Sequence, residues 1–317
     1  MVQDAHLRET KAIHRRTGRT FYYATRFLPE RVRHQTYVLY AFFRVADEVV
    51  DDDRDLTPGE QHEQLRHIRE AALGRAEADD PVLSAFSEVR ERTAITDEDV
   101  AEFVDAMLTD IEKTRYGTYE ELESYMAGSA AAVGHMMTAI MEPDDPEQAH
   151  PHAAALGEAF QLTNFLRDVR EDVVERGRIY LPQSTLRAHD VTDEQIERLE
   201  VDEGFRAAMR EELRRTETLY REGVAGIKYL PADCQFPVLL AAVLYAEHHR
   251  LIRDRNLDVL SATPSLSARR KLWLLAKTRW HWAWNGDPEA VFARVSAVPS
   301  AAGDRQESEH VEPLPAQ

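Results

Sequence analysis

The sequence predicts an all-α fold, and three observations carry that reading. Apolar residues recur at helical spacing along most of the 317 residues, almost no run alternates apolar with polar as a strand would, and thirteen glycines are few for this length. With 43% hydrophobic residues and no linker composition, the chain can bury one large core. The expected organisation is a single domain over 1–298 and a tail over 299–317, where Ser, Ala, Gly, Glu and Pro predict disorder.

A first helix is expected over 7–26 and ends before Leu28-Pro29-Glu30, with the proline near the start of the next one. That next helix, 31–52, is apolar on most sides and should be central. The chain then turns acidic, and Thr57-Pro58-Gly59-Glu60 reads as a capped helix start in which Glu60 closes a capping box. Amphipathic packing helices follow over 60–75, 81–92 and 97–113, with Thr96 as a cap for the last. The segment 118–141 reads as one helix rich in small residues (Ala127, Gly128, Ser129, Ala130, Ala131, Ala132, Gly134). Small side chains admit a second helix, the favoured reading, or a slender ligand. After a turn over 143–151 a long helix should run to Gly177, followed by the loop RIYLP. The segments 191–199 and 205–225, dense in Glu and Arg, read as exposed helices. The apolar segments 237–253 and 266–284 read as core helices, the second holding Trp273, Trp280, Trp282 and Trp284.

Two of these helices carry polar residues where apolar ones are expected. In QLTNFLRDVRED (161–172), Gln161, Asn164, Asp168 and Asp172 share one face of an otherwise apolar helix; in the 31–52 helix, Tyr40, Arg44, Asp47 and Asp51 do the same. A carboxylate inside a buried helix is costly unless compensated, and carboxylates with amides can hold a hard cation, Mg²⁺ above all with Mn²⁺ as a substitute. One acidic pair four residues apart is mostly a solvated face; two such pairs extended in register are not. If the stripes face each other, Asp47, Asp51, Asn164, Asp168 and Asp172 are the metal ligands and Gln161 a neighbouring hydrogen-bond partner. Magnesium held by few carboxylates keeps positions for substrate phosphates, so the substrate is a diphosphate, with Arg44 and Arg167 on its oxygens. Diphosphate departure leaves a carbocation, which suits aromatic walls such as Phe21, Tyr22, Tyr40, Phe43 and Tyr245. For Tyr40 and Tyr245 a core role stands equally open.

The net charge of −18 excludes duplex nucleic acid as a partner and disfavours simple docking on anionic lipid. Only five of the 39 basic residues are lysine, an acidic, lysine-poor surface suited to concentrated salt and thus to a halophilic, haloarchaeal source. Cys234 is the one cysteine, so no intramolecular disulfide is expected, and the thirteen histidines show no ligand spacing. No apolar run reaches eighteen residues and the amino terminus has no signal-peptide core, which predicts a cytoplasmic protein, at most peripheral on a membrane. The tryptophan cluster fits either core packing, the favoured reading, or contact with a membrane.

Across 13–279 the chain resembles the squalene and phytoene synthases, the head-to-head prenyl diphosphate synthases. The resemblance rests on TFYYATRFLP (20–29), YAFFRVADEVVDD (40–52), the region around Ala130 to Gly134, and QLTNFLRDVREDVVERGRIYLP (161–182). It implies an isoprenoid-synthase helical fold around a central cavity, with two aspartate-rich motifs facing each other. It also implies catalytic roles for Tyr40, Arg44, Asp47, Asp51, Asp168 and Asp172, and substrate contacts for Phe21, Gln161, Asn164, Arg167 and Tyr245. The implied reaction is transfer of a prenyl group to a second prenyl diphosphate, through a cyclopropylcarbinyl diphosphate, to a symmetric hydrocarbon. GRIYLP and the lack of a carboxy-terminal apolar anchor favour the phytoene branch, which joins two geranylgeranyl diphosphates in carotenoid biosynthesis, needs no NADPH, and can touch a membrane or downstream carotenoid enzymes. Squalene or dehydrosqualene from farnesyl diphosphate, and a catalytically silent prenyl-diphosphate-binding homologue, stay as alternatives. One departure stands out: many members read Tyr-Cys-Tyr before the small-residue run, and this chain reads Tyr125-Met126-Ala127.

Overall fold

The computed structural model describes residues 23–51, 56–78 and 80–299, with Asp51 described by its backbone alone. The expected helix over 7–26 and the tail therefore lie outside the described residues, apart from a few residues at their inner edges. Thirteen α-helices are found among the described residues and no strand; an isolated parallel bridge pairs Arg115 with Ile179.

Helix α1 (Glu30–Asp51) is central, as its apolar circumference predicts: Val38, Leu39, Ala41, Phe42 and Ala46 are fully buried. Phe42 stacks on Phe86 at 3.9 Å between centroids, which seats α1 on α3 (Pro81–Arg90). Helices α2 (Pro58–Ala72) and α4 (Asp97–Asp110) complete this half of the bundle. Both begin with capping boxes, Thr57 with Glu60 and Thr96 with Asp99, and each box satisfies two amides left over at the helix start.

The expected single helix over 118–141 is interrupted. Helix α5 (Tyr119–Met126) passes into a π-helical turn (Ala127–Ala131) and then α6 (Ala132–Met141). Close approach accompanies the change of pitch. A Cβ on Gly128 would lie 2.2 Å from the Glu102 carbonyl oxygen of α4, and one on Gly134 would lie 2.4 Å from that of Ala153. The small residues thus serve helix packing, while Ser129 and Ala130 also line the cavity described below.

Helix α7 (Pro146–Arg176) is the pillar. Its 31 residues span roughly 46 Å at 1.5 Å each, and Gly177, with φ 63°, ends it in the left-handed conformation that glycine adopts without strain. It gives Leu162 and Phe165 to the core around α1, Leu156 and Ala159 to a second core, and Leu166, Val169 and Val173 to a third. After the short α8 (Gln183–Ala188) and α9 (Asp193–Glu197) comes α10 (Glu203–Ala225). The sequence reading of α10 as an exposed helix needs correction. It lies along α7 and buries Phe205, Met209, Leu213, Tyr220 and two carboxylates, because those charges are answered internally. Arg215 Nη1 reaches Glu212 Oε2 at 2.7 Å, and Glu217 takes Arg253 and, at 3.1 Å, His249.

Helix α11 (Ala232–Asp254) is a core helix, as expected. Helix α12 (Ala268–Asn285) is not: it packs Leu274 and Thr278 inward and leaves three of its four tryptophans exposed. Leu272, Trp273, Trp280 and Trp284 face outward while Leu274, Leu275 and Trp282 pack on the second core, a division that residue type alone does not disclose. Helix α13 (Pro288–Val295) closes the second core with Val291, Phe292 and Val295.

Candidate active site

Helices α1, α4, α7 and α11 and the α5–α6 segment enclose a cavity of about 610 Å³. The first stripe supplies Tyr40, Arg44 and Asp47 to its wall; the second supplies Gln161, Asn164, Arg167, Asp168 and Asp172; Tyr245 comes from α11. The helical register that aligned these residues in the sequence brings them to one chamber. Phe21 lies outside the described residues, and Asp51 ends α1 with no side-chain position described.

Part of the cavity wall is charged, and its ion pairs are partly exposed. There each described carboxylate is met by an arginine of its own helix. Arg44 Nη1 donates to Asp47 Oδ2 at 3.3 Å, Arg167 Nε to Asp168 Oδ1 at 2.7 Å, and Arg176 Nη1 to Asp172 Oδ1 at 3.3 Å. Burial works against the Arg167 cation, but the Asp168 carboxylate outweighs it and holds the guanidinium charged. Glu171, on the same rim, is pushed above the usual carboxylate range by burial and by the neighbouring Asp168.

Aromatic rings make up another part of the wall. Phe165 and Tyr180 stack at 3.9 Å with 9° between their planes, and Phe160 and Tyr245 stack at 4.4 Å with 19°. Tyr125 donates to Asp110 Oδ2 at 2.6 Å, which places a phenol of the Tyr-Met-Ala departure on the cavity wall. Burial and the Asp110 carboxylate keep that phenol protonated. A smaller apolar pocket of about 120 Å³ adjoins and shares Val133, Met137, Gly157 and Phe160 with the main cavity.

Several wall residues escaped the sequence reading. Arg176, Arg178 and Tyr180 stand within or just beyond the α7 terminus in a segment read only as a helix end and loop. Arg178 is buried and donates from Nη2 to the Asp110 carbonyl at 2.8 Å. The RIYLP phrase was the available signal for two of them. Asp110 gave none, since a single acid at a helix end is ordinary.

The donor set Asp47, Asn164, Asp168 and Asp172 is made of hard oxygens, which fit magnesium or manganese. Among the described residues no three His, Cys, Asp or Glu side chains converge into a closed metal cage. Magnesium is suited to such a wall, since it binds through one or two carboxylates together with substrate phosphates. An amphiphile with an anionic head and a long hydrocarbon tail matches a wall that offers both arginines and aromatic rings.

The comparisons with known proteins agree with this geometry. Residues 14–270 match the family model described as squalene/phytoene synthase. A phytoene synthase from Thermus thermophilus is 34% identical over 258 residues, covering 81% of this chain and 87% of that one. A 15-cis-phytoene synthase from Synechococcus elongatus is 30% identical over 275 residues, covering 83% and 89%. Among solved structures, a dehydrosqualene synthase in complex with ligand superposes with a TM-score of 0.80 at 26% identity, covering 88% of this chain and 97% of that one. A squalene synthase from Alicyclobacillus acidocaldarius has the same fold, with a TM-score of 0.71 at 23% identity and coverage of 80% and 95%.

Proposed function

Because the chain belongs to the squalene/phytoene synthase family and is a prenyl transferase, we propose that it joins two geranylgeranyl diphosphates head to head and makes phytoene. The observation that carries the reading is one chamber whose wall combines arginines, carboxylates and aromatic rings. The relatives named phytoene synthase, matched over more than four fifths of both chains, favour this branch over the squalene one.

In the first half-reaction the C–O bond of one allylic diphosphate breaks. The double bond of the second substrate attacks the cation, and loss of a proton closes a cyclopropylcarbinyl diphosphate. In the second half-reaction that diphosphate leaves, the cation rearranges, and loss of a proton gives the hydrocarbon. Arg44, Arg167 and Arg176 pair with phosphate oxygens of the departing groups in the forked geometry that guanidinium allows. Magnesium, held by Asp47, Asp51, Asn164, Asp168 and Asp172, supplies when bound further positive charge to the leaving diphosphate. Gln161 orients the same face by hydrogen bonding. The faces of Phe160, Phe165, Tyr180 and Tyr245 stabilise cationic carbon, offer no nucleophile and exclude water. Tyr40 lines the wall beside Arg44, and Phe21 is assigned to the tail-binding wall by resemblance.

The same reading takes 1–298 as one domain, supported by the contribution of α7 to all three cores. It places the protein in the cytoplasm, at a membrane surface and in contact with the carotenoid enzymes that take its product, at high salt. No described helix is long and apolar enough to cross a membrane.

The test is a product assay with magnesium and either geranylgeranyl or farnesyl diphosphate, with and without NADPH. A C40 hydrocarbon formed without NADPH is the expected outcome. A C30 product that becomes squalene only with NADPH moves the chain to the other branch.

A further inference from the structure

Helix α12 presents a face that the fold does not use. Leu272, Trp273, Trp280 and Trp284 are 61%, 46%, 64% and 77% exposed, in a protein that otherwise buries its large apolar side chains well. Together with Arg269 and Arg279 they fall on one arc of roughly 140°, at the spacing of successive helical turns. The opposite side carries Leu274 and Thr278, both fully buried. The rings are held in place: Trp280 and Trp284 pack at 5.9 Å between centroids, and Arg270 lies 4.1 Å over Trp273.

The charge of this helix is opposite to that of the chain. Against a net −18, α12 holds Arg269, Arg270, Lys271, Lys277 and Arg279 and not one carboxylate, including two of the chain's five lysines. Two carboxylates that border it are engaged: Glu247 takes Arg270 at 2.7 Å, and Asp233 takes Arg31 at 2.9 Å. Acidic groups elsewhere act weakly here, since the screening length is about 10 Å at 0.1 M salt and shorter above it. Beside the helix runs an apolar groove lined by Phe27, Phe236, Leu272, Leu275 and Trp282. Its wall residue Pro237 also lines the small pocket that adjoins the reaction cavity.

We propose that the outer face of α12 docks the protein on an anionic lipid bilayer, with Trp273, Trp280 and Trp284 in the interfacial layer and Arg269 and Arg279 on lipid headgroups. Indole rings and arginine on one helix face suit the boundary between headgroups and acyl chains, where the ring is buried and its N–H stays solvated. The face lies flat on the surface and does not span it. This deepens the functional reading, on which it rests in this respect, because a hydrocarbon product has no place in water. The docking itself does not depend on which product is formed.

Sedimentation of the full chain with phosphatidylcholine vesicles, with and without phosphatidylglycerol, tests it in low and in molar salt. The protein should pellet with the phosphatidylglycerol vesicles, and lipids brominated on their acyl chains should quench its tryptophan emission. Arg269→Gln with Arg279→Gln should lower partition roughly fivefold per arginine in low salt. Trp280→Ser with Trp284→Ser should lower it at least about tenfold in either salt. Turnover in detergent should be unchanged in both variants, since none of these residues lines the cavity; this separates loss of docking from loss of fold or of the proposed reaction. No pelleting of the wild-type chain, or equal pelleting of the tryptophan variant without quenching, overturns the proposal. So does a concentration-dependent dimer that the tryptophan variant dissolves in the absence of lipid binding, which would make this face a contact between two copies.

Discussion

Replacing Gly157 by alanine tests whether the close approach of α7 to the π-helical turn positions the chemistry. A Cβ at residue 157 would lie 2.4 Å from the Ala130 carbonyl oxygen and 3.1 Å from its carbon. Ordinary contact begins near 3.4 Å, so α7 and the turn must part by about 1 Å. The atoms it would meet are backbone, not the end of a flexible side chain. Overpacking of this kind costs about 1–3 kcal/mol, and the better helix propensity of alanine offsets about 1. The net loss of stability should be about 1 kcal/mol, or a fall of a few degrees in melting temperature. The effect on rate should be far larger. Gly157 and Ala130 both line the cavity, and α7 carries Asn164, Asp168 and Asp172. A shift of about 1 Å in reacting geometry lowers turnover about 100-fold. Thermal unfolding and single-turnover product formation with bound substrate measure the two effects separately. Gly59→Ala is the control, since its nearest neighbour is Thr57 Oγ1 at 3.9 Å and it should leave turnover unchanged. Turnover of Gly157→Ala within about twofold of wild type, with unchanged or higher stability, would refute the positioning argument.

Asp47→Asn and Asp168→Asn should each lower turnover by about 10²–10³-fold with the fold retained, measured as product formed per enzyme. Unchanged turnover would favour a catalytically silent binding protein. Chelation should abolish turnover and added magnesium restore it without a change in far-ultraviolet circular dichroism, because the wall is not a metal-built fold; manganese should substitute in part. Stability should fall in acid. Burial, and then the Arg167 cation, push His248 down to about 3 from an unfolded value near 6.5, so its contribution is complete above pH 6.5 and declines from there towards pH 3. Between pH 7 and 5 that amounts to about 2 kcal/mol. Urea unfolding of His248→Phe should show a loss between those pH values smaller by about that amount, and an equal loss would contradict the assignment.

The two polar stripes were legible because a helix converts a spacing of three and four into a common direction. Asp47 and Arg44, like Asp168 and Asn164, needed only that α1 and α7 be helices in order to share faces. The capping boxes at Thr57 and Thr96 were legible for a similar reason, since their partners lie three residues away. Tertiary facts were not. Composition alone does not tell that Glu212 and Glu217 are buried on α10: Arg215 lies three residues from Glu212, but Thr185, His249 and Arg253, which also answer these carboxylates, come from distant segments. Nor does it tell that Trp280 and Trp284 face outward, since an amphipathic helix reads the same whichever side the rest of the chain covers. The π-helical turn depends on how near Gly128 comes to Glu102, which is again a property of packing. Asp110 joined the site through Tyr125 and Arg178, neither of them near it in sequence.

The arginines of the cavity explain how three carboxylates can line a partly buried wall. Arg44, Arg167 and Arg176 stand three, one and four residues from their partners. Both members of each pair are thus already ordered by one helix, and little conformational freedom is lost in forming it. Each pair is close to neutral, which removes the repulsion that two acidic stripes on one chamber would otherwise exert. A diphosphate changes the balance. Its oxygens would compete with the carboxylates for the same guanidinium forks. On the proposed function, these pairings would couple the two halves of the chemistry: a diphosphate drawing on Arg44, Arg167 and Arg176 would weaken their hold on Asp47, Asp168 and Asp172, the residues that would hold the metal.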